Sequence, residues 1–482
     1  MGDKTRASYG LMLSEEPRRQ KLWWHRLFMT LIALLLAGAV YFCVPPRAIE
    51  YPDLYEVSIA ELQNGLDKGR FTSVDLVKAY LARINEVNLE GPLLRAIIET
   101  NPLALEQAAN LDAERKKTGK RSILHGIPLI LKDNIATLAS EGMNTTAGSY
   151  ALYKSIVPDD ATVAAKLRRA GAILLGKANL SEWSAARGIL ASGWSGRGGQ
   201  ATNPYYPNGD PCASSSGSAI ASAIGLAAGA LGTETDGSII CPSSYNNIVG
   251  IKPTVGLTSR AGVIPINSHQ DTVGPMTRSV ADGAAILNII AGRDGKDNYT
   301  LTAPKQIPDY MRYLDAKAIK GKRFGVPRIV FRNDTLLGNH PSVGVAFEEA
   351  LKTIQSLGGV IVDPTDLPSA EEMIDNNNER LVGQVDLKTR INAYLAGLNY
   401  IPTGTDTLSK IIVYNDKHKE LEEPEGYESQ LAFLLAEATL GYNESYHQAV
   451  YNNHDIGRTR GIDYVLKTYS LDALVLPSNG NA

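Results

Sequence analysis

The sequence predicts an α/β protein preceded by one membrane-spanning helix. Three observations lead there: an uncharged apolar run near the N-terminus, short buried-type strands alternating with helices, and glycine concentrated in the chain centre. The chain has 482 residues and 44% of them are hydrophobic, enough to bury a large core. At about 150 residues per domain, up to three domains or one large α/β domain are admissible. Lys plus Arg number 48 against 51 Asp plus Glu, a net charge of −3. That balance lacks the basic face that nucleic-acid binding needs. Three cysteines do not make a disulfide framework.

Leu27 to Val44 reads LFMTLIALLLAGAVYFCV, 18 residues without a charge. As a helix it is about 27 Å long, enough to span the hydrocarbon layer. Trp23 and Trp24 precede it, Tyr41 and Phe42 lie near its end, and Pro45-Pro46 stop it. Lys4, Arg6, Arg18, Arg19, Lys21 and Arg26 come before the run, and only Arg47 closely follows. The positive-inside rule then makes 1–26 a cytosolic basic leader and 27–44 a signal-anchor. Residues 45–56 form a linker, and 57–482 lie in the lumen or outside the cell. Ala37-Gly38-Ala39 leaves a cleaved signal peptide and a secreted protein as the alternative. Five Asn-x-Ser/Thr sequons (Asn144, Asn179, Asn298, Asn333 and Asn443) permit a glycoprotein.

Beyond Val57, Thr72 or Ser73 caps a helix whose stripe is Val74, Val77, Tyr80, Leu81 and Ile84. Ala104 to Lys117 is a second helix. Gly126 to Leu131 is a continuous apolar run, as in a strand buried on both faces, and it ends in Lys132-Asp133-Asn134. Ala161–Arg169 reads as helix and Ala172–Leu175 as strand, an alternation that argues for an α/β sheet. Ser342–Leu357 and Asp375–Tyr400 are mainly helical, and Leu471–Leu476 reads as a late buried strand. No His-Glu-x-x-His, Gly-x-x-x-x-Gly-Lys-Ser/Thr, Ser-x-x-Lys or Gly-x-Ser-x-Gly motif occurs. A Ser-His-Asp triad is not excluded by spacing, since its members come from distant segments.

Glycine is 44 of 482 residues, above the usual ~7%, and the surplus lies between Ser192 and Gly262. Within it, Ser214-Ser215-Ser216-Gly217-Ser218 precedes Ala219–Leu231, whose small apolar residues predict a buried helix. A serine cluster at a helix N-terminus meets unpaired N–H groups and a positive dipole end. Thr235-Asp236-Gly237-Ser238 then predicts a tight turn whose N–H groups can form an anion nest. A nucleophile beside such a nest is the arrangement acyl transfer needs.

Ser214 to Leu257 resembles the amidase signature, the Gly/Ser-rich hallmark of a family of amide C–N hydrolases, and Gly250-Ile-Lys-Pro-Thr254 matches its last element. Leu124–Asn134 is similar to the family's lysine strand. Gly176–Trp183, Ser192–Gly199 and Gln270–Asp282 look most like the peptide amidase branch and its fungal relatives. The resemblance covers nearly everything after Val57. It implies a large mixed β-sheet covered by helices on both faces. It also implies a Ser–Ser–Lys triad: Ser238 as nucleophile, Ser214 as bridging serine held by a cis peptide, and Lys132 as base. The backbone N–H groups of Thr235, Asp236, Gly237 and Ser238 would hold the oxyanion, with Ser215, Asp133 and Asn134 in support. Arg187 and Trp194 are candidates for a substrate funnel, and also for packing. Cys212 and Cys241 flank the centre and invite a thiol-nucleophile reading, but neither has an evident base.

The chemistry is coherent from below. A serine hydroxyl needs a neighbour to take its proton. A lysine serves only if burial or nearby positive charge lowers its pKa, and about three units correspond to about 4 kcal/mol. No metal or organic cofactor enters this scheme. Departures from the family pattern are Ala213 and Asp236 at glycine positions, Ser216, and Ile240 where many relatives carry arginine. After Pro477, relatives continue for several tens of residues, so the domain looks truncated at Ala482. The expected activity is hydrolysis of a small-molecule or peptidyl carboxamide. A catalytically impaired binding protein and an amidotransferase-type subunit are the alternatives.

Overall fold

A computed structural model describes residues 23–32, 53–331 and 340–478. The chain divides into two units, 1–50 and 51–482. In the first, residues 23–32 are helical and almost entirely exposed, Trp23, Trp24 and Phe28 among them. No helix among the described residues is long and apolar enough to cross a membrane. The run expected to span one is described only as far as residue 32, and its remainder lies outside the described residues.

The second unit is built on a six-stranded mixed sheet. Its strands are β1 (Ile97–Thr100), β2 (Pro128–Lys132), β3 (Ile173–Ala178), β4 (Ala230–Glu234), β5 (Val249–Gly250) and β6 (Thr272–Thr277). Their order in the sheet is β1-β3-β2-β4-β6-β5. β2 runs parallel to both β3 and β4, and β4 pairs antiparallel with β6. Every residue of β2, β3, β4 and β6 is buried. That is why the first two read as continuous apolar runs rather than alternating ones.

The helices follow the sequence signals closely at their starts. Thr72 caps α1 (Ser73–Val87) through a capping box with Asp75, which satisfies two end N–H groups at once. Next come α2 (Ala104–Thr118) and α3 (Thr162–Arg169). The main core joins these helices to the sheet through Leu76, Tyr80, Ile84, Leu111, Leu167, Leu129 and Leu174, all buried.

Two expectations are corrected. The apolar stretch Ala219–Leu231 is not one helix: α4 spans Ser216–Ala223, and the chain turns at Gly225 (φ +66°) before re-entering the sheet as β4. Small residues there serve close packing in both elements, so composition alone did not mark the break. The late strand is short and half-buried rather than buried. Ala473–Leu474 pairs with Arg323–Gly325, which also pairs with Val360–Val362, in a separate three-stranded sheet. The predicted helices near 342 and 375 form as α5 (Pro341–Ser356) and α6 (Asn378–Ala396).

Candidate active site

β2 delivers Lys132 to the carboxyl end of the sheet, between two parallel neighbours. Its side chain is fully buried, and the ammonium donates to Ser214 Oγ (2.7 Å), Ser215 Oγ (3.0 Å) and the Thr233 carbonyl (3.1 Å). Burial pulls its pKa down from 10.5 to about 7, against the opposing pull of the Glu234 and Asp271 carboxylates. Desolvation penalises the charged form, so a lysine with three neutral oxygen partners loses its proton readily.

Ser214 and Ser215 lie at the N-terminal end of α4. Ser215 Oγ donates to the Thr233 carbonyl (3.0 Å) and accepts from the Thr233 N–H (3.3 Å), tying α4 to β4. Gly232 permits this approach, since a Cβ there would sit 2.9 Å from Ser215 Oγ. The turn before Ser214 places Cys212 (φ +57°) and Ala213 (φ +42°) in the left-handed region. Ala213 therefore carries a Cβ where glycine is the unstrained choice. Among the described residues the one cis peptide is Asp363–Pro364, so the cis bond that the family resemblance implies at Ser214 is not formed.

Ser238 follows β4 in a turn made at Gly237 (φ +71°). Its carbonyl accepts the Ser215 N–H (3.2 Å), which locks the two serine segments together. No hydrogen bond ties Ser238 Oγ to the described residues, and the N–H groups of Asp236, Gly237 and Ser238 make none either. Free, consecutive N–H groups beside a hydroxyl are what an oxyanion site requires. Asp236 is exposed on this turn, whereas Ser238 is buried.

Cys212 and Cys241 form a disulfide with Cα atoms 5.7 Å apart. It joins the approach to Ser214 with the helix Ile240–Tyr245 that follows Ser238. Paired cysteines are not free thiols, which removes the thiol-nucleophile reading.

The flanking candidates have structural work. Asp133 is buried and accepts from Thr146 Oγ1 (2.5 Å) and the Gly148 N–H (2.9 Å). Asn134 donates to Thr233 Oγ1 (2.9 Å) and Ser184 Oγ (3.2 Å). Arg187 is fully buried, pairs with Glu182 and donates to the carbonyls of Glu422, Tyr427 and Ser429. Trp194 is buried and stacks on Tyr427 with ring centroids 4.5 Å apart. Of the two readings the sequence left open for Arg187 and Trp194, these contacts fit packing.

Sequence reasoning did not single out Glu234 or Asp271. Glu234 Oε2 accepts the N–H groups of Ile239 (2.6 Å) and Ile240 (2.9 Å), pinning the chain just after Ser238. Asp271 is half-buried, accepts from Thr235 Oγ1 (2.6 Å), and desolvation raises its pKa to about 6. Glu234 sat inside the glycine-rich segment and offered a signal. Asp271 is brought in only by the β4–β6 pairing, in which Glu234 faces Thr272. A second fully buried lysine, Lys177 on β3, was also missed, and burial lowers it to about 8. It donates to the Ile135 carbonyl (2.6 Å) and Thr145 Oγ1 (3.0 Å).

The amidase family model matches residues 75–482. The chain belongs to the amidase signature family. An amidase-family protein of Arthroderma benhamiae is 40% identical over 459 residues, 90% of this chain and 76% of the relative. One of Arabidopsis thaliana is 41% identical over 429 residues, 88% of this chain and 80% of the relative. The solved peptide amidase of Stenotrophomonas maltophilia is similar at 40% identity with a TM-score of 0.79. That match covers 90% of this chain and 88% of the bacterial one. The protein is an amide-hydrolysing enzyme of this family.

Proposed function

We propose that this amidase hydrolyses a small-molecule or peptidyl carboxamide through a Lys132–Ser214–Ser238 relay and an acyl-enzyme. The observation that carries the reading is a fully buried lysine 2.7 Å from the Ser214 hydroxyl, with its pKa drawn down to about 7. Neutral Lys132 accepts a proton from Ser214 as Ser214 takes one from Ser238. The relay requires Ser238 Oγ to come within hydrogen-bond reach of Ser214 Oγ. Ser238 attacks the amide carbon, and the N–H groups of Thr235, Asp236, Gly237 and Ser238 receive the oxyanion. Ser214 then protonates the leaving amine, and water releases the acid. Likeness to the peptide amidase supports a peptidyl amide as the substrate. A fluorophosphonate probe tests the reading: it labels wild type and fails on Ser238→Ala and Lys132→Ala. Absence of label on folded wild type refutes it.

For location, the proposal is a single-pass anchor at 27–44 with the enzyme on the lumenal or extracellular side. The uncharged run, its flanking charge and the Cys212–Cys241 disulfide support this, since disulfides persist in oxidising compartments. Asn298 and Asn443 are exposed, whereas Asn179 is fully buried. Glycan mapping on protein from its native host is expected to find sugar at the first two and none at Asn179. A wholly cytosolic, unglycosylated protein with reduced cysteines overturns it.

A further inference from the structure

The loop that holds the backbone of Ser214 is clamped by a segment far along the chain. Ser181 donates its N–H to the Ser214 carbonyl (3.2 Å) and its hydroxyl to the Ala213 carbonyl (3.1 Å). The next residue, Glu182, meets residues 419–429, a short helix Lys419–Glu422 and the stretch after it. Arg187 donates to three carbonyls of that segment. Tyr427 stacks on Trp194 and donates its hydroxyl to Gln200 Oε1 (3.2 Å).

Inside this clamp two carboxyl groups meet. Glu182 and Glu422 are both fully buried and in hydrogen-bond contact. Glu182 Oε2 accepts from Arg187, and its Oε1 accepts the Gly196 N–H (2.8 Å). Glu422 Oε1 accepts the Ser149 hydroxyl (2.9 Å) and the Tyr150 N–H (2.6 Å), whereas its Oε2 is buried with no donor of its own. A Cβ on Gly196 would lie 3.1 Å from Glu182 Oε1 and 3.0 Å from Glu422 Oε2, so both oxygens converge where no side chain stands between them. Ionised carboxylates only accept, so two of them bond only through a proton. The charge count agrees: among the described residues Arg187 is the one cation paired with either carboxyl. Farther out, Lys419 lies 3.8 Å from the Glu423 carboxylate, and Tyr414 of the helix Leu408–Lys417 is kept neutral by burial and then by Glu422. Burial, and then the charge of Glu422, holds Glu182 well above the usual carboxylate range.

We propose that Glu182 and Glu422 share one proton, and that this proton latches residues 419–429 onto the loop that holds Ser214. When the proton passes to water, two carboxylates face each other beside Gly196 with one guanidinium to balance them, and the latch loosens. The latch takes its catalytic consequence from Ser214 being the bridging serine, and its test reads the latch alone.

Hydrogen exchange of the full chain, read by mass spectrometry from about pH 5 to about pH 9, tests it. Once the segment opens, both carboxyls return to ordinary values near 4.5, so the closed latch holds one proton more than the open one. The raised pKa therefore stabilises the latch fully below 4.5, and the opening constant grows about tenfold per pH unit above it until the proton is gone. Protection of 419–429, taken relative to peptides of β2 and β3, is expected to fall in step and then level. Glu422→Gln places an amide N–H where the shared proton sits and keeps an oxygen for Ser149 and Tyr150, so its profile is expected to stay flat. A flat wild-type profile overturns the latch without need of the variant. A Glu422→Gln profile that falls as wild type does overturns the shared proton as the cause.

Discussion

If Lys132 is the base, the acid limb of activity belongs to it. Its pKa of about 7 makes the neutral fraction about 9% at pH 6, half at pH 7 and about 91% at pH 8. kcat/KM for a carboxamide, followed by ammonia release, should therefore rise about tenfold between pH 6 and pH 8 and then level, reporting the free enzyme. Glu234→Gln is the perturbation. It keeps an oxygen for the Ile239 and Ile240 N–H groups but removes the first of two charges that hold the lysine's proton on. At an effective dielectric of about 20, the limb should fall by roughly one pH unit. Stability supplies an independent check. A lysine whose folded pKa is below its unfolded value costs stability fully below pH 7, and the cost fades as pH rises toward 10.5. Its ceiling is about 5 kcal/mol, and the hydrogen bonds lost in Lys132→Met offset much of that gain. The stability of Lys132→Met relative to wild type should decline by about 1.4 kcal/mol per pH unit across that window. An activity that climbs with unit slope beyond pH 9, or a Glu234→Gln limb that moves upward, refutes the reasoning.

Three further outcomes follow from the same geometry. Ala213→Gly should stabilise by about 0.5–1 kcal/mol in chemical denaturation, because left-handed backbone at φ +42° strains a Cβ more than glycine's entropy costs. Replacing Cys212 and Cys241 by serine removes a link closing 29 residues and should cost about 3.5 kcal/mol. The same change should slow Ser238 labelling, since both serine segments lose a common tether. Arg187→Met leaves Glu182 buried without its partner and frees three carbonyls, so a loss of about 3–5 kcal/mol is expected in denaturant melts. An unchanged melting midpoint would return Arg187 to the substrate funnel.

Much of the site was legible because its parts are local. A strand buried on both faces reads as a continuous apolar run, which placed Lys132 at a strand end, and the resemblance to the family's lysine strand gave it its candidate role. Ala213 was conspicuous before its φ was known because the resembled family usually carries glycine there. The capped start of α1 was equally plain, since Thr72 and Asp75 satisfy the helix end within four residues. Ala219–Leu231 misled, because small apolar residues suit a close-packed helix and a buried strand alike.

By itself the sequence determined the α/β class, the amidase signature and the three candidate catalytic side chains. The first rests on periodicity, and the other two on the resemblance to the family's ordered motifs. Only the tertiary structure decided that Glu234 and Asp271 set the charge around Lys132, and that Cys212 bonds to Cys241. It alone gave Arg187 its Glu182 and carbonyl partners and set Trp194 on Tyr427. Those facts depend on burial and on partners far away in the chain. Desolvation and pairing are properties of a folded neighbourhood, and no stretch of sequence carries them alone.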